Sequence, residues 1–161
     1  MLDPFGTAAD RFRLPATGPT DDMHPGWPES TPFVRLPASA VFPSGARMRL
    51  RPLLRSDGHE WRRQRIEDES FLRSVEPTQA APWAAAHSQQ AWWNHLMYLR
   101  TAAREALVIP LVIEVEGKFA GQVTLGNIQH GSIRDCWIGY WVYSAVHGAG
   151  VATAATALGV D

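Results

Sequence analysis

The segment Trp137-Ile-Gly-Tyr-Trp-Val-Tyr143, followed by Ser144-Ala-Val-His-Gly-Ala-Gly-Val-Ala-Thr153, decides how the chain is read. An apolar, aromatic strand ends at Tyr143, a turn follows, and Gly148 and Gly150 precede the helix-forming run Val151-Ala-Thr-Ala-Ala-Thr-Ala-Leu158. A strand that runs through a glycine loop into a helix N-terminus offers unpaired backbone N–H groups and the positive end of a helix dipole to an anion. Glycine lets the backbone come close where a Cβ would intrude, so the N–H groups from Ala149 to Thr153 could donate to a pyrophosphate. The segment lacks the Gly-Lys-Ser/Thr ending of a Walker loop and the full glycine triplet of a dinucleotide fold. Taken by itself it fits a purely structural strand-to-helix turn equally well.

Moving towards the N-terminus, His130-Gly131 reads as a turn, which makes Ile133 to Tyr143 the third strand of an antiparallel meander, with Gly139 marking a bulge or a close approach. The first two strands are Val108-Ile-Pro-Leu-Val-Ile-Glu-Val115 and Phe119-Ala-Gly-Gln-Val-Thr-Leu125, joined at Glu116-Gly117. Pro110 points to an edge or a bulge. From Ser88, the apolar positions Trp92, Leu96, Leu99 and Ala103, flanked by Trp93 and Met97, fit a helix packed on the sheet. Pro77 and Pro82 bound a loop before it, and Phe71, Leu72 and Val75 suggest a short helical piece. Asp57-Gly-His-Glu60 has the form of a capping box opening a helix towards Ile66 with Trp61 on its buried side. Arg47-Met-Arg-Leu-Arg51 reads as a half-buried strand ended by Pro52 with its arginines facing out, and Val34-Arg-Leu36 as a short edge strand. Residues 1–32, crowded with prolines and without a period, read as a flexible arm before a domain over 33–161, and Trp27 in His24-Pro-Gly-Trp-Pro28 could pin it; Met23 is an alternative start.

With 161 residues and 45% apolar content, the chain can bury one sizeable core. Its net charge of −1 gives no global bias to nucleic acid or an anionic membrane, and the arginines of residues 47–65 are interrupted by acids, as on a solvated face. Lys118 is the single lysine. Cys136, the only cysteine, excludes an intrachain disulfide and a multi-cysteine zinc site, and reads as a small buried hydrophobe. His87 and His95 have no metal-binding spacing and read as surface or satisfied core residues, so no metal is expected. No signal-peptide core and no apolar run of roughly 20 residues is present, so a cytoplasmic, non-membrane protein is expected.

The order of strand, helices, meander and His147-Gly-Ala-Gly-Val-Ala152 helix start resembles the GNAT N-acetyltransferases. The segments His24–Pro28, Val115–Gln122, Gly126-Asn127, His130-Gly131 and Trp137–Val142 are similar to the branch containing the ribosomal-protein N-terminal alanine acetyltransferases. The resemblance implies an α+β fold, with a mostly antiparallel twisted sheet flanked by helices. It implies that acetyl-CoA is the co-substrate, its pyrophosphate on the loop His147, Gly148, Ala149, Gly150, Val151, Ala152 and Thr153, and its pantetheine arm paired with backbone around Trp141, Val142 and Tyr143. The family's pattern of Gln or Arg, two variable residues, Gly, one variable residue, then Gly or Ala falls on His147, Gly150 and Ala152. His147 departs from it, and a weaker or pH-sensitive hold on phosphate is expected.

The implied reaction is attack of a neutral amine on the thioester, which calls for a base, oxyanion donors and an acid for the thiolate. Candidate groups are Glu69, Asp135, Tyr140 and Ser144, with Glu76 near the acceptor groove. The implied acceptor is a protein N-terminal α-amino group, such as that of a ribosomal protein. The family's usual C-terminal strands and helix, with an acidic tyrosine, do not follow α-helical residues 151–161, so a truncated, inactive enzyme is expected. The alternative is a non-catalytic remnant that dimerises or binds a partner through the exposed edge of the Ile133–Tyr143 strand.

Overall fold

The alternation in Ala46-Arg-Met-Arg-Leu-Arg-Pro52 and the apolar run Val108–Val115 build the centre of the sheet. The computed structural model describes residues 30–160 and contains the strands β1 (Val34–Leu36), β2 (Ala46–Pro52), β3 (Val108–Val115), β4 (Lys118–His130) and β5 (Arg134–Val142). They pair antiparallel in the order β1-β2-β3-β4-β5. Helices α1 (Gly58–Glu67), α2 (Glu69–Val75), α3 (Trp83–Ala86) and α4 (Gln89–Arg104) lie between β2 and β3, and α5 (Val151–Val160) follows β5. This is the expected α+β arrangement. Most of the arm, with His24–Pro28 and Met23, lies outside the described residues, as does Asp161. Thr31 is already fastened to β2: its N–H donates to Leu50 O at 2.9 Å and its hydroxyl accepts from Leu50 N at 2.9 Å.

Helix α5 covers one face of the sheet, where Met48, Leu50, Ile113, Val123, Val151 and Ala155 are fully buried or nearly so. Leu158 is half-buried there. Helices α1 and α4 cover the other face, with Trp61, Trp92, Leu96, Leu99 and Val112 in its core. Ser88 caps α4 as its residue type suggests, its side chain accepting from Ala91 N. The β3–β4 turn also follows the sequence: Glu116 and Gly117 take φ of 49° and 75°, the two left-handed positions of a tight hairpin. No described helix is long and apolar enough to cross a membrane.

Several local expectations need correction. The α1 capping box does not form. The Asp57 carboxylate instead reaches back to Leu54 N at 2.7 Å and receives both terminal nitrogens of Arg51, at 2.9 and 2.8 Å. Arg51 is therefore no solvated strand residue: its Nε donates to Glu114 at 2.6 Å, and Arg49 Nε donates to the same carboxylate at 2.8 Å. Burial pushes Glu114 up, and the two guanidinium hydrogen bonds outweigh it and leave its pKa lowered. Pro110 is fully buried in a central strand. Pairing with β2 stops at Leu111, so on that side Pro110 has no ladder to interrupt. The β4–β5 irregularity falls between Gly126 and Gln129, where Asn127 has φ 52°, and Gly139 is instead a point of close approach. A Cβ on Gly126 or Gly139 would come within 2.2 or 2.8 Å of the Trp137 ring. Cys136 is exposed, because it sits on the outer strand of the sheet.

Candidate functional site

β5 ends at Val142, and the chain turns through a short 3-10 segment, Ser144–Val146, into the glycine loop and α5. Tyr143 N donates to Ala120 O at 2.9 Å, so by the alternation of an antiparallel ladder the N–H and C=O of Val142 turn away from β4. In the loop, Gly148 and Gly150 both adopt φ 78°, which L side chains rarely take. A Cβ at either would meet no protein atom within 4 Å, so the space beyond them is open to a ligand. The first N–H groups of α5 have no intrahelical acceptor, and Ala154 N, donating to Gly150 O at 3.0 Å, begins the helical pattern. No acid occupies the first turn of α5. The loop therefore offers donors, a favourable dipole and clear space for an anionic group.

The loop forms one wall of a cleft of about 660 Å³. Helix α2 forms the opposite wall through Phe71, Leu72 and Val75, with Glu76 just past its end, and Tyr140, Trp141 and Val142 form the floor. A second, shallower groove continues between β5 and α5, with Tyr140 lining both. Of the expected loop and strand residues, Trp141, Val142, His147, Gly148, Gly150, Val151, Ala152 and Thr153 line the main cleft. Ala149 is buried beneath the loop and Tyr143 is turned to the side. His147 does not point freely to the open space: its Nε2 lies 2.8 Å from Val142 O, and since a carbonyl only accepts, that nitrogen carries the proton. Its ring also meets the edge of Phe71 at 5.4 Å, so the two walls touch there.

The candidate acids and bases separate clearly. Tyr140, 54% exposed, lies in the cleft. Glu76 lies at the end of its α2 wall and receives Arg65 Nη2 on both oxygens at 2.7 and 2.5 Å. Glu69 is turned to Arg73, 2.9 Å away on the same helix, and does not line the cleft. Asp135 is exposed near the far end of β5, seven residues and roughly 23 Å of extended strand from Val142. Ser144 Oγ is spent on Asp68 Oδ1 at 2.5 Å.

That last contact belongs to a set the sequence did not disclose. Asp68 Oδ2 also accepts Ser144 N at 2.8 Å, and the Tyr143 hydroxyl donates to Glu67 at 2.5 Å and accepts from Arg63 at 3.2 Å. The Tyr143 hydroxyl and Arg63 hold the Glu67 carboxyl below its ordinary pKa, and Glu67 in turn raises that of Tyr143. Arg63 also holds Glu60 down to about 2. The only signal in the sequence was three consecutive acids, Glu67-Asp-Glu69, after an arginine-rich helix, and that pattern fits a solvated face as well. Among the described residues no cluster of His, Cys, Asp or Glu is placed to hold a metal ion.

No protein-family model matches the chain, and no curated protein does. Among solved structures it is similar to Mycobacterium smegmatis RimJ in complex with CoA-disulfide, with 40% identity, 85% of this chain and 62% of that chain covered, and a TM-score of 0.77. In fold it is similar to the ribosomal-protein-S5-alanine acetyltransferase from Vibrio fischeri, with 18% identity, 80% and 66% covered, and a TM-score of 0.62. It is likewise similar to RimL, a ribosomal L7/L12 α-N-protein acetyltransferase in complex with coenzyme A, with 16% identity, 79% and 66% covered, and a TM-score of 0.59. The chain spans less than two thirds of the length of each of these proteins.

Proposed function

We propose that this chain, a member of the GNAT superfamily of N-acetyltransferases, binds acetyl-CoA in the cleft between α2 and the glycine loop and serves acetyl transfer to a primary amine. The observation that carries the proposal is the pair Gly148 and Gly150, both at φ 78° with open space beyond them, at the start of a helix without acids in its first turn. The pyrophosphate would take the N–H groups from Ala149 to Thr153, and the pantetheine arm would meet the outward-facing N–H of Val142, whose carbonyl already accepts from His147 Nε2. The amine nitrogen attacks the thioester carbonyl, a C–N bond forms, the C–S bond breaks, and the proton leaving nitrogen balances the one gained by the CoA thiolate. Tyr140 and Glu76, which line the cleft, would share that proton traffic.

A protein N-terminal α-amino group, such as that of a ribosomal protein, is the acceptor this reading favours, because the chain is 40% identical to RimJ and the structurally similar RimL is by name a ribosomal L7/L12 α-N-protein acetyltransferase. Such an acceptor would place the protein in the cytoplasm. The test is calorimetric titration of CoA and acetyl-CoA into the wild type and Gly150→Val. A valine at φ 78° is strained and its side chain enters the open space, so at least a tenfold loss of affinity, about 1.4 kcal/mol, is expected. Wild type without binding, or a variant that binds equally, refutes the proposal.

A second reading is favoured by the outer position of β5, which leaves Trp137 and Tyr140 exposed. It makes that edge an interface with a second copy or another protein. Sedimentation with and without acetyl-CoA separates the two: a monomer that binds the cofactor supports the enzyme, and a dimer that ignores it supports the interaction module.

A further inference from the structure

Asp68 joins α1 to α2 and is 5% exposed, so its carboxylate needs partners. Both oxygens go to one residue 76 positions later: Oδ2 accepts Ser144 N–H at 2.8 Å and Oδ1 accepts the Ser144 hydroxyl at 2.5 Å. Ser144 opens the 3-10 turn before the glycine loop, and Tyr143, at its N-cap, supplies no side-chain acceptor. Asp68 thus caps that turn from another element. The Ser144 carbonyl in turn receives His147 N–H at 3.0 Å, which fixes the first residue of the loop. On its other side, the Asp68 carbonyl accepts the N–H groups of Phe71 at 3.1 Å and Leu72 at 2.9 Å, the first turn of α2. One residue therefore holds both walls of the cleft, the loop through its side chain and α2 through its backbone.

We infer that Asp68 is a positioning residue that sets the spacing between the glycine loop and α2, and thereby how tightly the cleft holds CoA; this rests on the acetyl-CoA reading above. It acts through Ser144 and does not touch the ligand, since neither oxygen is left over. Donors aimed at an anion lose effect with displacements below an ångström, so a loosened anchor is felt in ligand affinity. Glu67, with the Tyr143 hydroxyl, grips the preceding residue and leaves Asp68 as the buried member of the pair.

The experiment compares the full chain with Asp68→Ala, Asp68→Asn, Ser144→Ala and the double variant Asp68→Ala/Ser144→Ala. Calorimetry measures CoA affinity, and amide hydrogen exchange without ligand follows residues 143–153 against β3 and α4. Asp68→Ala is expected to weaken CoA about tenfold and Ser144→Ala, which keeps the backbone bond, about threefold, with the double variant no weaker than Asp68→Ala because the two act as one unit. Faster exchange should be confined to the loop. Asp68→Asn retains one acceptor and the side-chain shape, so it keeps the test decisive if the alanine variant does not fold, with a smaller loss in the same direction.

Unchanged CoA affinity in Asp68→Ala and Asp68→Asn, additive losses in the double variant, or faster exchange throughout β3 and α4 would overturn the inference while leaving wild-type binding intact. A wild type that binds no CoA overturns the acetyl-CoA reading and this inference together.

Discussion

On one side of the sheet, α5 closes over Met48, Leu50, Ile113 and Val123, side chains with no polar atom to satisfy. On the other, α1 and α4 close over Trp61 and Trp92 with Gln64, Arg65, His87 and Gln122 buried among them. The rings are in mutual contact, Trp61 lying 5.4 Å from Trp92, 5.2 Å from His95 and 5.3 Å from His87. On this side Trp61 Nε1, Trp92 Nε1 and Gln64 Oε1 are buried without a protein hydrogen-bond partner. Each such atom costs about 1–3 kcal/mol when neither protein nor water meets it. Packing alone explains the first face and does not explain the second. The second face also carries Trp141 and the α1–α2 junction, so the polar residues gather where the strand leading into the cleft is held.

The most damaging way to break this comparison is to hollow out each face. Trp92→Ala should cost about 3–5 kcal/mol and Leu50→Ala about 2–5, both fully buried, and urea unfolding measures them. A cost below 1 kcal/mol for Trp92→Ala would mean that the aromatic face is loosely filled.

Acid separates the faces more selectively. Burial holds the His95 imidazole down at about 4, from 6.5. The unfolded chain takes up its proton as pH falls through 6.5, and the folded protein does not until about 4, so stability is full above 6.5 and lost as pH falls through that window. The loss by pH 5 should be about 2 kcal/mol, from the 1.36 kcal/mol carried by each pH unit. Glu60, held down to about 2 from 4.5, keeps its contribution above pH 4.5 and loses it between 4.5 and 2, so it does not enter between pH 7 and 5. His87, whose pKa burial also lowers, adds to the loss in the same direction. His95→Phe should flatten the dependence between pH 7 and 5, and an unchanged slope would remove His95 as its cause.

The smallest effect belongs to the aliphatic face. A Cβ on Gly159 would come 3.2 Å from Ile138 Cδ1 and 3.4 Å from Val123 Cγ1, contacts between movable side chains. The gain of about 0.8–1 kcal/mol for Ala over Gly in a helix should exceed that crowding and leave Gly159→Ala about 0.5 kcal/mol more stable. A thermal melt showing a loss above 1 kcal/mol would mean that this face has no slack.

Local patterns were legible, and distant partnerships were not. The β3–β4 hairpin could be read because its alternation and its Glu116-Gly117 turn lie in adjacent residues. Ser88 announced α4 for the same reason. The four-residue helix α3 is too short to show a period, so Trp83–Ala86 has no reading between the Pro77–Pro82 loop and Ser88. Arg51 read as a solvated residue because its acids, Asp57 and Glu114, come together only when β3 docks beside β2. In the cleft, the glycine loop was visible as a spacing, whereas the Asp68–Ser144 contact joins residues 76 apart, and nothing in either neighbourhood points to the other. His147 follows the 3-10 turn into the loop, but that its ring bonds Val142 O depends on how the chain turns at Tyr143, which residue type does not specify.

The hairpin turn at Glu116-Gly117 has a practical side. The residue after it, Lys118, is exposed and is the sole lysine of the 161 residues. Amine-directed reagents therefore meet one side chain besides the chain terminus. A fluorophore or tether placed there has a defined address on the sheet, at the tip of the β3–β4 hairpin.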